Sequence, residues 1–245
     1  MILLLAGTTE ARNLAGHLAS SGVKAVASLA GVTEEPLAYP IEIRTGGFGG
    51  EEGFRSYLRE AGITAVIDAT HPFAEAITTR TARICLELGL PYLRYERKIW
   101  RSQPGDAWHH IDSYEALPDM IPTGARVFLA TGRQSLDRIG PLLPGRHLIC
   151  RVIDTPTEPF PYEGEWVVGR PPFSETEETA LFQRLNPDFL VVKNAGGAGR
   201  GKLDAARSLG IPIAMIARPP APEGVDRREQ LLDALEWAET HGDTF

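Results

Sequence analysis

The stretch Ile2-Leu3-Leu4-Leu5-Ala6-Gly7-Thr8-Thr9-Glu10-Ala11-Arg12 decides the fold of this chain. Residues 2–6 are an unbroken apolar run without alternation, the pattern of a strand buried on both faces. Gly7 ends the run. From residue 10 to residue 20 the period changes. Ala11, Leu14, Ala15 and Leu18 stand at i, i+3, i+4 and i+7 along one side of a helix, and Gly22 marks its stop. A strand hidden on both faces needs helices above and below it, so this strand–turn–helix unit predicts an α/β fold with mainly parallel sheets.

The same grammar runs outward from this unit. Strands are predicted at 23–29, 41–44, 65–68 and 91–95, with helices at 51–61 and 74–88 closed by Gly62 and Gly89. After Trp100 the pattern loosens, and 103–106 reads as a loop. A second block then begins, with strands at 126–130, 147–152, 166–168, 189–193 and 212–216. Its helices are a short one through Leu136 and Ile139, then 174–185, 203–209 and a closing amphipathic helix at 228–239. Glu175, Glu177 and Glu178 crowd the first turn of 174–185, where the helix dipole favours acids. The expected division is a first domain at 1–110 and a second at 111–245.

Composition narrows the function. At 245 residues the chain can bury one large core or two smaller ones. A net charge of −7 argues against a nucleic-acid binder that works by neutralising phosphates. The cations are nonetheless skewed, 21 Arg against 4 Lys. Codon usage or a thermophilic host produces such a skew, and so does recruitment of the planar Arg fork to carboxylates and phosphates. Cys85 and Cys150 form no paired spacing, so neither a disulfide framework nor a metal site is expected, and a reducing cytoplasm suits them. The apolar opening lacks a basic start and stops after six residues, which reads as a strand rather than a signal peptide. No run approaches the roughly 18 apolar residues that span a bilayer. A cytoplasmic protein without membrane or nucleic-acid partners is expected.

In an open parallel sheet ligands bind beyond the carboxyl ends of the strands, so the turns after strands are the candidate sites. Gly7 would let a phosphate approach the backbone at a helix N-terminus, with Thr8 and Thr9 as hydroxyl donors. A full G-x-G-x-x-G fingerprint is absent, and a glycine turn with a Thr9 cap accounts for the same residues. The second strand ends Ala27-Ser28-Leu29-Ala30-Gly31, without the acid that holds the ribose hydroxyls of NAD. A 2′-phosphate fits there, with Ser28 and Arg12 or Arg44 as partners, which tilts a nicotinamide reading toward NADPH. Asp68-Ala69-Thr70-His71-Pro72-Phe73-Ala74 sets two hydrogen-bonding residues and a titratable ring at the next strand end, with His71 taken as shielded from solvent. A capping Thr70 or Asp68 is the plainer account of that turn.

In the second block, Thr131-Gly132-Arg133-Gln134 is another strand-to-helix turn. Lys193-Asn194-Ala195-Gly196-Gly197 follows a strand and continues through Gly199, Arg200, Gly201 and Lys202, a glycine loop with cations suited to an anionic ligand or to a mobile surface. His109-His110 lies in the predicted loop without acids at ligand spacing and reads as structural. No nucleophile elbow, Walker A sequence or H-E-x-x-H is present.

These residues resemble the precorrin-6A reductase (CobK/CbiJ) family of cobalamin biosynthesis. The resemblance runs in order through Gly7-Thr8-Thr9-Glu10-Ala11-Arg12, Asp68-Ala69-Thr70-His71-Pro72-Phe73-Ala74, Tyr92-Leu93-Arg94-Tyr95-Glu96-Arg97 and Trp100. It continues through Phe128-Leu129-Ala130-Thr131-Gly132, Lys193-Asn194-Ala195-Gly196-Gly197, Lys202-Leu203-Asp204-Ala205-Ala206-Arg207 and Arg218-Pro219. Two places depart from it: Arg170-Pro171-Pro172-Phe173 stands where the family has Gly-Pro-Phe, and Ala195 where it tends to a serine.

The resemblance implies an oxidoreductase that uses NADPH to reduce a C=C or C=N bond of a tetrapyrrole, taking precorrin-6A or cobalt-precorrin-6A to the 6B form. It implies two Rossmann-like domains with cofactor and macrocycle in a cleft between them. On that reading Gly7, Thr8, Thr9, Glu10, Arg12, Ser28, Asp68, Thr70, Thr131 and Gly132 serve the cofactor. Arg97, Asn194, Gly196, Gly197 and Lys202 serve the substrate, whose acetate and propionate groups give Arg a use, and Lys193 and His71 are the catalytic candidates. Rival readings are another NAD(P)-dependent reductase or epimerase with a small substrate, and a non-catalytic nucleotide-sensing module. Turnover of a nicotinamide with substrate separates an enzyme from a sensor.

Overall fold

A computed structural model describes residues 1–31 and 38–243. The chain opens with β1 (Ile2–Leu5), α1 (Thr9–Ser20), β2 (Ala25–Leu29), β3 (Glu42–Thr45), α2 (Gly50–Glu60), β4 (Ala65–Asp68), α3 (Glu75–Leu88) and β5 (Tyr92–Tyr95). Next come β6 (Trp108–Ile111), α4 (Leu117–Met120), β7 (Arg126–Ala130), α5 (Arg133–Ile139), β8 (His147–Val152) and β9 (Gly164–Val168). α6 (Glu175–Leu185), β10 (Phe189–Lys193), α7 (Gly201–Leu209) and β11 (Ile213–Ile216) follow, and the chain closes with β12 (Asp226–Arg228) and α8 (Leu231–His241).

The strands form two six-stranded sheets, and every pair in them is parallel. The first runs β3-β2-β1-β4-β5-β12 and the second β9-β8-β7-β10-β11-β6. Counted from the strand at its centre, the first follows the order 3-2-1-4-5-6 of doubly wound dinucleotide folds, and the second has the same arrangement with β6, its earliest strand in the chain, in the sixth place. The direction of the strand order reverses between β1 and β4 in one sheet and between β7 and β10 in the other. Those are the two switch points.

The apolar run of β1 splits between the faces of its sheet. Ile2 and Leu4 pack with Leu14, Leu18, Trp237 and Ala238 from α1 and α8. Leu3 and Leu5 pack with Phe54 and Leu58 of α2 and with Ala82 and Cys85 of α3. In the second sheet, Phe128, Leu190, Val192, Ile213 and Met215 meet Phe182 and Leu185 of α6 and Leu203 and Ala206 of α7. Burying each large aliphatic side chain contributes about 1.5–3 kcal/mol, which explains why strands this short stay ordered.

The expected boundary between 110 and 111 is corrected. One compact unit is Met1–Lys98 together with the chain from Pro219 onward, and the other is Ile99–Arg218. The sixth strand of each sheet causes the difference. β6, whose histidines are expected in a loop, lies in the second sheet, where Ile111 pairs with Ile216. β12, whose Arg228 is expected to open the closing helix, returns to the first sheet, where Arg227 pairs with Arg94. α8 then packs on α1 and seals that sheet's face.

Candidate functional site

Because all strands of the first sheet run one way, its carboxyl edge gathers the turns after β1, β2, β3 and β4. Gly7 has φ +115, a conformation that a side chain resists, and a Cβ placed there would meet nothing within 4 Å. Its N–H donates to the Tyr39 hydroxyl at 3.2 Å. Burial raises the Tyr39 pKa, against the Gly7 N–H and the Arg12 charge, which lower it. Tyr39 is therefore a neutral hydroxyl on the turn, a residue that sequence reasoning missed because it sits in a loop far along the chain.

The Thr9 cap expected from sequence is corrected to Thr8. The Thr8 hydroxyl accepts from the Ala11 N–H at 3.1 Å and donates to the Ala69 carbonyl at 2.7 Å. Its proton is thus engaged in joining the turn after β1 to the turn after β4, and not available to a phosphate. Thr9 is exposed at the first position of α1. Glu10 and Arg97, expected to serve cofactor and substrate respectively, form an ion pair with each other at 2.6 Å.

At the end of β2, Ser28 is opposite Arg44 in register. The Arg44 guanidinium donates to the Ser28 hydroxyl at 2.8 Å and to the carbonyls of Gly46 and Gly47 at 3.0 and 2.9 Å. It also lies over the Phe48 ring, 3.9 Å from the centroid. Of the two arginines considered as partners of Ser28, the structure brings Arg44 to it.

Asp68 is corrected from a cofactor contact to an internal anchor. Its side chain is 0% exposed and its carboxylate is saturated with donors. Oδ1 accepts from the Thr70 N–H at 2.9 Å, the Thr70 hydroxyl at 2.6 Å and Arg94 Nη1 at 2.7 Å. Oδ2 accepts from the hydroxyls of Thr78 at 2.6 Å and Tyr92 at 2.8 Å. The hydroxyl proton of Thr70 is therefore held inside the protein as well. Burial, the Asp68 charge and that hydrogen bond all raise the Tyr92 pKa, so its phenol stays a donor.

His71 is exposed rather than shielded, because the turn carries it past the sheet edge. Its Nδ1 accepts the Phe73 N–H at 3.2 Å, which in the neutral ring leaves the proton on Nε2.

The second sheet builds its own edge. The Lys193 ammonium is half-buried and donates to the Thr131 carbonyl at 3.1 Å. Burial lowers its pKa, and the Arg138 charge lowers it further. Thr131 is buried, and its hydroxyl has no hydrogen-bond partner among the described residues; Gly132 precedes α5 with φ 81. The Asn194 side chain, expected to hold substrate, instead clasps Trp100: Oδ1 accepts its N–H at 2.9 Å and Nδ2 donates to its carbonyl at 3.0 Å. The Trp100 indole donates to the Gly197 carbonyl at 2.7 Å, and Lys202 lies over its ring. Gly196 and Gly197 both have positive φ, 72 and 79, a bend that only glycine takes readily, with Gly196 buried and Gly197 half-buried.

Among the described residues, no group of three or more His, Cys, Asp or Glu could hold a metal ion, and no helix is long and apolar enough to cross a membrane. Both cysteines are buried, and burial pushes each thiol up to about 12.

The fold and its edges define an α/β protein of two parallel sheets, each in the strand arrangement of dinucleotide-binding folds. The family model for precorrin-6x reductase CbiJ/CobK matches residues 1–238. The chain belongs to that family. It is 42% identical over 246 residues to the precorrin-6A reductase of Rhodobacter capsulatus, covering 99% of this chain and 97% of the relative. A solved structure of CobK precorrin-6A reductase superposes with a TM-score of 0.92 at 41% identity, over 99% of this chain and 97% of the other. The cobalt-precorrin-6A reductase of Priestia megaterium is 29% identical over 257 residues, 96% of this chain and 98% of that protein.

Proposed function

We propose that the protein is an oxidoreductase that reduces precorrin-6A to precorrin-6B with NADPH in corrin ring synthesis. The near-full-length likeness to the Rhodobacter capsulatus reductase carries this reading. The higher identity to relatives named for the metal-free substrate than to those named for its cobalt form favours the metal-free macrocycle. NADPH suits the first edge on physical grounds. Gly7 leaves open space for a phosphate at the start of α1, and Ser28 with Arg44 offers a hydroxyl and a fixed cation where NAD-specific sites carry an acid. The anionic macrocycle suits the glycine loop and the cations Lys193 and Lys202 of the second edge.

NADPH, when bound, supplies the hydride. The protein must orient its ligands, exclude water, and supply one proton so that hydride and proton together complete the reduction. Lys193 is fitted to meet the negative charge that hydride addition brings to the conjugated ring. Its desolvated ammonium is anchored on the Thr131 carbonyl, and its lowered pKa makes it a better proton donor than an exposed lysine. His71 presents a ring whose Nδ1 accepts the Phe73 N–H, leaving Nε2–H to hydrogen-bond to the negative charge that hydride addition brings, as a neutral imidazole can.

The test is to mix purified protein, NADPH and precorrin-6A and follow absorbance at about 340 nm, the nicotinamide band, with the cobalt form run in parallel. Loss of absorbance only when macrocycle is present, with formation of the 6B product, is expected. Tight NADPH binding without turnover of either macrocycle would instead make the chain a nucleotide sensor.

A further inference from the structure

A carboxylate with no exposure at a ligand-binding edge calls for an explanation, since a buried ion pair is seldom required for stability; apolar residues of similar volume commonly do as well. Asp68 and Arg94 lie side by side in register at the ends of β4 and β5. The two oxygens of Asp68 have separate roles. Oδ2 is fastened to the scaffold by Thr78 on α3 and Tyr92 on β5. Oδ1 takes the N–H and hydroxyl of Thr70, which belong to the turn.

Arg94 reaches the same turn from the neighbouring strand. Nη1 donates to the Thr70 hydroxyl at 3.1 Å and to the Asp68 carbonyl at 3.3 Å, and Nη2 approaches the His71 carbonyl at 3.5 Å. Behind it, Arg94 Nε stands 3.7 Å from Glu96, which is in turn bridged at 2.5 Å by Arg227 of the returning strand β12. The turn that carries His71 is thus gripped by a chain of charges ending in the last strand of the sheet.

From this we infer that Asp68 and Arg94 are positioning residues for His71, acting through the Thr70 hydroxyl, and that neither contacts a ligand. The inference rests on the reading of His71 as a hydrogen-bond donor to the charge that hydride addition creates. It explains why a strand otherwise apolar carries Arg94, and why Thr70 has both a donor and an acceptor role inside the protein.

Four variants test it, each checked for folding by circular dichroism and for NADPH binding by fluorescence titration. Thr70→Val keeps the shape and the backbone N–H but removes the hydroxyl. It should lower kcat about tenfold or more, the scale expected when a reacting group is misplaced by a fraction of an ångström, while NADPH affinity stays within about twofold. Thr70→Ser should restore kcat. Tyr92→Phe removes a hydrogen bond from the scaffold side of the same carboxylate and should leave kcat near wild type. His71→Ala is measured alongside, and the pH profile of kcat in Thr70→Val should move toward that of His71→Ala. A wild-type kcat in Thr70→Val, or equal losses in Thr70→Val and Tyr92→Phe, overturns the positioning role. A wild-type kcat in His71→Ala overturns the reading of His71 itself.

Discussion

If the first edge reads the 2′-phosphate of NADPH through Arg44, as proposed, removing the Arg44 guanidinium should leave the site indifferent between NADPH and NADH. Arg44 is held at 2.8 Å on Ser28 and at 3.0 and 2.9 Å on two glycine carbonyls, so its charge stands ready at the end of β2 without a carboxylate to neutralise it in that contact set. A hydrogen bond to a charged group contributes about 1.5–3 kcal/mol net. At about 1.4 kcal/mol per tenfold, Arg44→Met should weaken NADPH binding about 10- to 150-fold. NADH, lacking the 2′-phosphate, should change by about twofold at most, the ordinary effect of a substitution of about 0.5 kcal/mol outside its contacts.

The variant also loses the cation over the Phe48 ring, worth about 0.5–1 kcal/mol, so a fall of a few degrees in Tm is expected. For that reason the readout is the ratio of the two dissociation constants, measured by nicotinamide fluorescence without macrocycle, which a general loss of stability does not move. Raising salt from about 0.05 to 0.5 M should weaken NADPH in the wild type more than in the variant, because screening acts on the pair that the variant lacks. Equal losses for NADPH and NADH, with equal salt slopes, would show that Arg44 only braces the loop of Gly46 and Gly47 and that the 2′-phosphate is read elsewhere.

Three further outcomes are expected. Thr8→Val removes the cap of α1 and the bond to Ala69, and should destabilise the protein by about 1–2 kcal/mol in denaturant melts while leaving NADPH affinity within about threefold, since a capping loss is mainly a folding effect. Lys193 has a folded pKa below its unfolded value, so its ionised form weakens the fold at neutral pH. That penalty is relieved as pH rises from the folded to the unfolded pKa. Lys193→Met should therefore raise Tm at about pH 7 and lose that advantage near pH 10.5, the ordinary lysine range, while turnover drops at every pH; a Tm gain that grows with pH contradicts the sign. Trp100→Phe removes the indole bond to Gly197 and should raise KM for the macrocycle without changing the dissociation constant of NADPH; a change confined to NADPH would detach the glycine loop from the substrate.

The central strands are legible because they are buried on both faces, and that leaves a mark in the sequence. β1, β4 and β10 are short apolar runs that each end in a polar turn, which places Gly7, His71 and Lys193 at strand ends. The edge strands leave no such mark. Trp108-His109-His110-Ile111 and Asp226-Arg227-Arg228 pair on one side only, through backbone groups that any side chain allows. A three-residue strand made of charged residues cannot be told from a turn by its pattern. The domain boundary is misplaced for the same reason, since it depends on where those two strands dock.

The site divides along a similar line. The position of a residue at a sheet edge follows from its place in the strand–turn–helix unit, but whether its side chain faces a ligand or the interior depends on partners far along the chain. Asp68 reads as a ligand contact in the sequence because a polar residue after an apolar strand commonly is one. In the structure its carboxylate is filled by the Thr70 turn and by Thr78, Tyr92 and Arg94, and the last three reach it from other elements. One sign is available. Arg94 interrupts Tyr92-Leu93-Arg94-Tyr95, a strand whose residues are all buried, and a cation inside such a strand requires a buried anion near its register. Asp68, at the end of an adjacent apolar strand, is the acid in place to meet it. Charges that break an apolar strand thus locate each other before any coordinates do, and here they mark the polar anchor of the site rather than its contact surface.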